Sequence, residues 1–400
     1  MPKSHAAAII ILLLSLPSAT RAQSKTDVKF EFAKEVGGDG AILVAPETKY
    51  GKELGYGFDL GSVVRADGRG GCCSSDKPFF FSVALPEGNY DVFLTFGSRV
   101  GESETKVLAE SRRLMLDTVK LKIGEQVVRR ITVNIRDARL PGDKQVKLKD
   151  RELKGPVSSP ALHWDDKLTL EFVGPKPCLS VVEIRRNTEA ITVYLAGDST
   201  VTDQTGGAYR GWGQMLPRFF KAGGVAVANH AESGEATTSF IGARRFEKIL
   251  TTLKKGDYLF VQFGHNDQNQ KRPIPAYKDA LKQYIAKARE REATPILVTP
   301  MQRRLFDADG KVRESLAGYP DAVREVAKEE KVMLIDLNAM SRTFYESLGP
   351  DKSKSAFVDN THTNEFGAYE FARFIAESIK KSDLGLAKHI VDDLPKANFK

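Results

Sequence analysis

Three residues of this chain have the types and spacing for nucleophilic acyl transfer. Ser199 ends an apolar run in Tyr194-Leu195-Ala196-Gly197-Asp198-Ser199-Thr200, and a carboxylate and an imidazole lie far downstream in Asp359-Asn360-Thr361-His362. A serine hydroxyl is a weak nucleophile until a base accepts its proton, and that base needs a third group to orient it. Ser199 fits the nucleophile, His362 the base and Asp359 the orienting group. Their i, i+3 spacing is one helical turn, which lets the Asp359 carboxylate reach Nδ1 of His362. The Gly-x-Ser-x-Gly elbow of the α/β-hydrolases occurs nowhere. Each residue also has a plain structural use. Ser199 suits a turn or helix cap, and Asp359 with His362 suits the capped start of a helix.

Two more segments end short apolar runs: Val227-Ala228-Asn229-His230-Ala231-Glu232-Ser233-Gly234 and Phe260-Val261-Gln262-Phe263-Gly264-His265-Asn266-Asp267. These four blocks, in this order, resemble the SGNH (GDSL-like) hydrolases, whose four named residues fall here on Ser199, Gly234, Asn266 and His362. The resemblance implies an oxyanion hole made by the backbone amides of Ser199 and Gly234 and the side-chain amide of Asn266. Donors so placed lower the barrier by about 3–4 kcal/mol each. Gly234 suits the task because a residue without Cβ lets substrate approach the backbone. His265 is the rival base, being next to Asn266; the resemblance makes it a structural hydrogen-bonding residue.

Those residues need elements to hold them. From about residue 190, apolar runs at 193–196, 225–228, 258–263, 296–298 and 332–335 alternate with helical stretches such as 213–221, 277–291, 319–330 and 365–380. That rhythm predicts βαβ units and a buried parallel sheet with helices on both faces. In such sheets, sites gather at the carboxyl ends of strands. Ser199, Gly234 and Asn266 fall just past three of those ends. Residues 26–187 read differently. Phe79-Phe80-Phe81-Ser82-Val83-Ala84-Leu85, Tyr90-Asp91-Val92-Phe93-Leu94-Thr95-Phe96 and the alternation around Ile131, Val133 and Ile135 predict short strands between turns, hence an all-β sandwich. The phrases Pro86-Glu87-Gly88-Asn89-Tyr90 and Glu110-Ser111-Arg112-Arg113-Leu114 resemble the galactose-binding-like jelly roll that precedes the hydrolase in one branch of pectin-directed esterases. Such sandwiches bind sugar in some proteins and prop up the catalytic domain in others, and the propping role is the one expected here. The expected organisation is therefore a leader at 1–22, a galactose-binding-like β-sandwich at 26–187 and a three-layer α/β SGNH hydrolase domain with a parallel sheet at 190–390.

The leader follows from Lys3, the apolar run 6–16 and the small residues around Ala22. The run is too short for a stable bilayer span, so it reads as a secretory signal, and the mature chain is expected to be exported, secreted or periplasmic. No later segment predicts a membrane span. The formal charge of +8 falls to +6 without Lys3 and Arg21. This surplus suits an anionic polymer. With no basic cluster interleaved with aromatics, nucleic acid is not an expected partner. Of three cysteines, Cys72 and Cys73 are neighbours too strained to bridge each other, and one of them could pair with Cys178 in an oxidising compartment. Nothing has metal-ligand spacing, and no metal or organic cofactor is expected.

Within the SGNH hydrolases, four stretches look like the rhamnogalacturonan acetylesterases: Gly197-Asp198-Ser199-Thr200-Val201-Thr202-Asp203, Gly211-Trp212-Gly213-Gln214-Met215-Leu216, Thr299-Pro300-Met301-Gln302-Arg303-Arg304, and Asp359-Asn360-Thr361-His362. This similarity implies removal of acetyl groups from an acetylated pectic polysaccharide. Arg303 and Arg304 are candidate partners for the galacturonate carboxylate, since guanidinium pairs bidentately; Trp212 is a third candidate substrate contact. The alternative for both arginines is a place on a surface loop. One departure stands out: relatives usually follow the glycine block with a basic residue, and here Glu235 stands there. Other acetylated polysaccharides such as xylan therefore remain open. So do a GDSL lipase or thioesterase, although residues 202–211 and 267–275 are polar rather than apolar. A non-catalytic sugar-binding protein would have lost part of a triad that is present.

Overall fold

The computed structural model describes residues 26–32, 40–66, 71–154 and 162–397. The leader expected at 1–22 lies outside the described residues.

The N-terminal part is strand-rich. One five-stranded sheet has the order Val127–Ile135, Gly88–Phe96, Val181–Arg186, Val28–Glu31, Ile42–Leu43, and is antiparallel except for its last pair. The second, wholly antiparallel, has the order Tyr56–Asp59, Phe79–Ala84, Lys167–Lys176, Ser103–Ala109, Arg113–Leu121. Successive side chains of a strand point to opposite faces, so every second residue can enter one shared core. Phe30, Val92, Leu94, Val182 and Ile184 come from the first sheet; Phe81, Val107, Leu170 and Phe172 come from the second. Phe30 meets Phe81 edge-on at 5.1 Å between ring centroids, and Phe79 stacks on Phe172 at 4.9 Å. Cys72, Cys73 and Cys178 are all buried here, with Cys178 and Leu179 in register against Ser74 and Cys73.

The C-terminal part holds a five-stranded parallel sheet in the order Val225–Asn229, Ile191–Gly197, Tyr258–Gln262, Thr294–Val298, Met333–Ile335. Alternation splits its strands between two cores. Val193 and Leu195 pack with Trp212, Met215, Phe371 and Ile375 on one face. Tyr194 and Ala196 pack with Phe240, Tyr277, Tyr284 and Val323 on the other. The helices Tyr319–Glu330 and Glu365–Lys380 coincide with the stretches predicted from sequence. Residues 213–221 are instead a short α-turn, Trp212–Met215, followed by a 3-10 turn at Leu216–Phe219, because Pro217 cannot donate to a longer helix. The strand order reverses between the strands that precede Ser199 and Asn266, and this reversal opens a crevice at their carboxyl ends.

The two parts meet through a dense polar seam. Arg113 Nε donates to Asp203 Oδ2 at 2.6 Å, with both side chains buried. Lys248 pairs with Glu87 at 2.9 Å and Asp137 at 3.3 Å, and Arg245 pairs with Glu152. Leu114, from a sandwich strand, belongs to the core of the parallel-sheet part. The connection across 187–190 is short and tied down: Asn187 Nδ2 donates to Asp91 Oδ2 at 2.8 Å and to the Gly223 carbonyl at 3.2 Å. No helix among the described residues is long and apolar enough to cross a membrane.

Candidate active site

The strand Ile191–Gly197 delivers Asp198-Ser199-Thr200 to the crevice, and the turn is fixed from beneath. Asp198 Oδ1 accepts from the Thr200 amide at 2.9 Å and its hydroxyl at 2.7 Å. Gln262 Nε2 donates to Thr200 Oγ1 at 2.6 Å, and Trp212 Nε1 donates to Gln262 Oε1 at 2.8 Å. Trp212 is 1% exposed. It therefore does not meet substrate, contrary to the expectation above: the indole is packed into the core, where its one polar atom orients the Ser199 turn through Gln262.

Ser199 is half-buried, and its hydroxyl lies 2.9 Å from Nε2 of His362. Nδ1 of His362 lies 2.8 Å from Oδ2 of Asp359. The Asp359–His362 segment is not a helical turn. It is a loop folded around the carboxylate, whose Oδ1 accepts from the amides of Thr361 and His362 at 2.7 Å each. Partial burial opposes ionisation of Asp359, but the bonds from His362 and Thr361 outweigh it and hold its pKa below the usual value. Asp359 is thus an anion that accepts from Nδ1 and leaves Nε2 lone-pair-first toward Ser199. Capping of the following helix falls to Asn364, which accepts from Gly367.

His265 is placed otherwise. Its Nε2 lies 3.0 Å from the Met301 carbonyl and its Nδ1 3.3 Å from Asp198. Both ring nitrogens are occupied by structural partners. Asp198 is buried, which raises its pKa, yet the bonds from His265 and Thr200 bring it below the usual value.

Gly234 has φ +80°, a left-handed conformation that favours glycine. Among the described residues no carbonyl accepts from the backbone amides of Ser199 or Gly234. Asn266 Nδ2 donates to the Glu235 carbonyl at 2.9 Å, which uses one of its two N–H groups and leaves the other. Gln204, which sequence reasoning missed, donates to the Ser199 carbonyl at 2.8 Å and to Ser233 Oγ at 3.3 Å. It joins the Ser199 turn to the glycine block. Replacing Asn266 with alanine is expected to lower kcat roughly a hundredfold with KM nearly unchanged, as for a donor used in the transition state. Steady-state kinetics on a small acetyl ester check this; a rise in KM alone would assign Asn266 to ground-state binding.

Glu235 is 3% exposed and does not face incoming polymer. Its Oε1 pairs with Lys149 Nζ at 2.6 Å, and its Oε2 accepts from Ser239 Oγ at 2.5 Å. Lys149 also donates to the Ser233 carbonyl at 2.6 Å, and Arg151 donates to Glu232 Oε1 at 2.7 Å. Two cations from the N-terminal part thus grip the glycine block. From the same side, Arg112 donates to the Gln204 carbonyl at 2.6 Å and the Gly207 carbonyl at 3.0 Å. These contacts had no sequence signal, because they join loops far apart in the chain.

Arg303 and Arg304 serve as braces. Arg303 Nη1 donates to Gln268 Oε1 at 2.7 Å and the Ser315 carbonyl at 3.1 Å. Arg304 holds Asn360, through its Oδ1 at 2.8 Å and its carbonyl at 2.7 Å, beside Asp359. The exposed aromatic at the site is Tyr209, whose ring stands edge-on to His362 at 5.8 Å. Its loop is tied to the histidine loop by mutual bonds between Arg210 and Thr363.

Among the described residues, Glu152, His163 and Glu232 are the group with metal-ligand spacing. Arg245 and Arg151 already neutralise these carboxylates. Burial and the neighbouring Glu152 charge push the Glu232 carboxyl up, and Trp164 Nε1 donates to Glu152 at 2.9 Å. The two carboxylates of the cluster are thus paired with cations from both parts of the chain.

Residues 195–368 match the GDSL-like Lipase/Acylhydrolase family. The chain is 41% identical to the rhamnogalacturonan acetylesterase RhgT of Bacillus subtilis over 220 residues, half of this chain and 94% of that protein. It belongs to the GDSL-like hydrolases. The protein is accordingly a carboxylic ester hydrolase. Similarity to the uncharacterized esterase YxiM of Bacillus subtilis runs at 26% identity over 96% of this chain and 99% of that one. The crystal structure of YxiM covers 90% of this chain at 25% identity with a TM-score of 0.49.

Proposed function

We propose that this GDSL-like hydrolase is an exported serine esterase that removes O-acetyl groups from acetylated pectic rhamnogalacturonan, using Ser199, His362 and Asp359. The 41% identity to a rhamnogalacturonan acetylesterase over nearly all of that protein carries the substrate reading. Its residues 26–187 and 190–390 act as a scaffold sandwich and a catalytic domain. The burial of Glu235 against Lys149 removes the objection that its charge would repel an acidic polymer.

The reaction follows from the geometry. Ser199 Oγ attacks the acetyl carbonyl carbon while its proton passes to His362 Nε2 across the 2.9 Å contact. The carbonyl oxygen becomes an oxyanion facing the amides of Ser199 and Gly234 and the remaining N–H of Asn266. Asp359 stabilises the imidazolium. Collapse breaks the C–O bond to the sugar, whose oxygen takes the proton from His362. Water, deprotonated by His362, then attacks acetyl-Ser199 and releases acetate, returning the proton to the serine oxygen. Side-by-side measurement of acetate release from acetylated rhamnogalacturonan, acetylated xylan and a long-chain lipid ester tests the substrate. Preference for the first by about tenfold or more in kcat/KM is expected, equivalent to about 1.4 kcal/mol of transition-state discrimination. Faster turnover of xylan or the lipid ester would refute the pectic assignment while leaving the serine mechanism standing.

A further inference from the structure

At the seam between the sandwich and the parallel-sheet part lies a cavity of about 250 Å³ that shares no residue with the Ser199 site. Its lining includes the buried residues Arg136, Asn134, His230 and Tyr194, with Arg186 and Lys254 among its more exposed residues. We infer that this cavity is a second ligand site, built for a hydroxylated carboxylate the size of one sugar ring, that is, a monomeric uronate.

The floor contains polar atoms left unmatched by protein. Arg136 is 2% exposed, and its Nε and Nη1 have no hydrogen-bond partner. Nor do Asn134 Oδ1 and His230 Nδ1. Buried polar groups are ordinarily satisfied, so several orphans around one cavity point to what fills it. The nearest carboxylate is already committed: Asp203 Oδ2 is 3.8 Å from Arg136 Nη2 but accepts from Arg113 at 2.6 Å, while Oδ1 accepts from Asn229 at 2.8 Å. The Trp164 ring lies 4.6 Å from the guanidinium, which steadies the cation without using its donors. Burial, with Arg113 close by, pushes the Arg136 pKa down to about 9.

The surrounding charge has the same sign. Arg186 donates to the Tyr90 hydroxyl and Lys254 to the Thr188 carbonyl, so both cations rest on neutral partners. The acidic lining residue, Glu87, is taken by Lys248 at 2.9 Å. A carboxylate therefore finds three cations in the lining, Arg136, Arg186 and Lys254. The rest of the lining asks for hydroxyls. Asn134 Oδ1 can only accept, and burial keeps the His230 imidazole neutral, able to exchange a hydrogen bond with a hydroxyl. The volume exceeds the roughly 30 Å³ share of one water several-fold. It lies below the roughly 300 Å³ at which drug-sized sites begin. One sugar ring is the fitting occupant. The cavity's chemistry supports this whichever ester the enzyme cleaves.

Titration calorimetry on the full chain, with D-galacturonate, D-galactose, acetate and sulfate as probes, tests the assignment. Galacturonate is expected to bind one site with Kd of about 1 mM or tighter. Galactose, acetate and sulfate should each bind at least tenfold more weakly. Lys254→Glu, an exposed change that leaves the floor intact, should weaken galacturonate at least tenfold. Arg136→Gln should abolish binding, provided circular dichroism shows it folded. No binding at 10 mM, equal binding of galactose or of the simple anions, or unchanged affinity in Lys254→Glu would each overturn the inference.

Discussion

Ser199→Ala is expected to reduce kcat on acetyl esters by at least about 10⁴-fold, as removal of a triad member does. The fold should be unchanged, since Oγ bonds to His362 and supports no buried element. His362→Ala should cost about as much. The double variant should be little worse than either, because nucleophile and base act as one unit. Rates of the three variants beside the parent, with circular dichroism to confirm folding, decide the matter. A double variant slower than each single by the product of their losses would mean that the two residues act independently. Retained activity in Ser199→Ala would move the nucleophile elsewhere.

Removing residues 26–187 is expected to leave a fragment, 190–400, that is less stable and nearly inactive on small esters and polymer alike. The reason is the seam. Asp203 would lose Arg113, Lys248 would lose Glu87 and Asp137, and the glycine block would lose the grip of Lys149 and Arg151. Lys149→Met makes the same point with one side chain, by leaving the 3%-exposed Glu235 carboxylate without its cation. Stranding one partner of a fully buried pair costs about 3–5 kcal/mol; Lys149 is 35% exposed, so the cost here is smaller, and it falls on the loop that carries Gly234. Lys149→Met should therefore lower both melting temperature and kcat, and Lys149→Arg should restore much of each. A truncated enzyme with parental small-ester turnover and stability, but weakened polymer binding, would instead make the sandwich a separable sugar-binding module.

Chain order and the meeting of three distant side chains were legible where they leave local marks. Ser199, Asp359 and His362 stand in short motifs behind apolar runs, and the parallel strands show as continuous hydrophobic segments because both faces are buried. The helices Tyr319–Glu330 and Glu365–Lys380 could be read to the residue from their 3.6-residue period. What was not legible is what depends on the third dimension. Trp212 looks like a sugar platform in a list of residues, but it is committed to Gln262 in the core. Arg303 and Arg304 look like carboxylate binders, but their donors reach loop carbonyls and amides. Lys149, Arg151 and Gln204 carry no pattern at all, and the phrase that holds Arg112 says nothing of its reach to the Gln204 loop. They matter only because the sandwich is folded against the crevice, and no spacing along the chain records that contact.

The central claim is that Ser199 carries the acyl group, and covalent labelling tests it most directly. The intact protein is treated with a fluorophosphonate, a probe that reacts with an activated serine, and the modified peptide is located by mass spectrometry. One adduct per chain, on Ser199, lost in His362→Ala, is the predicted result. An adduct on another serine, or undiminished labelling of Ser199 without His362, would contradict it.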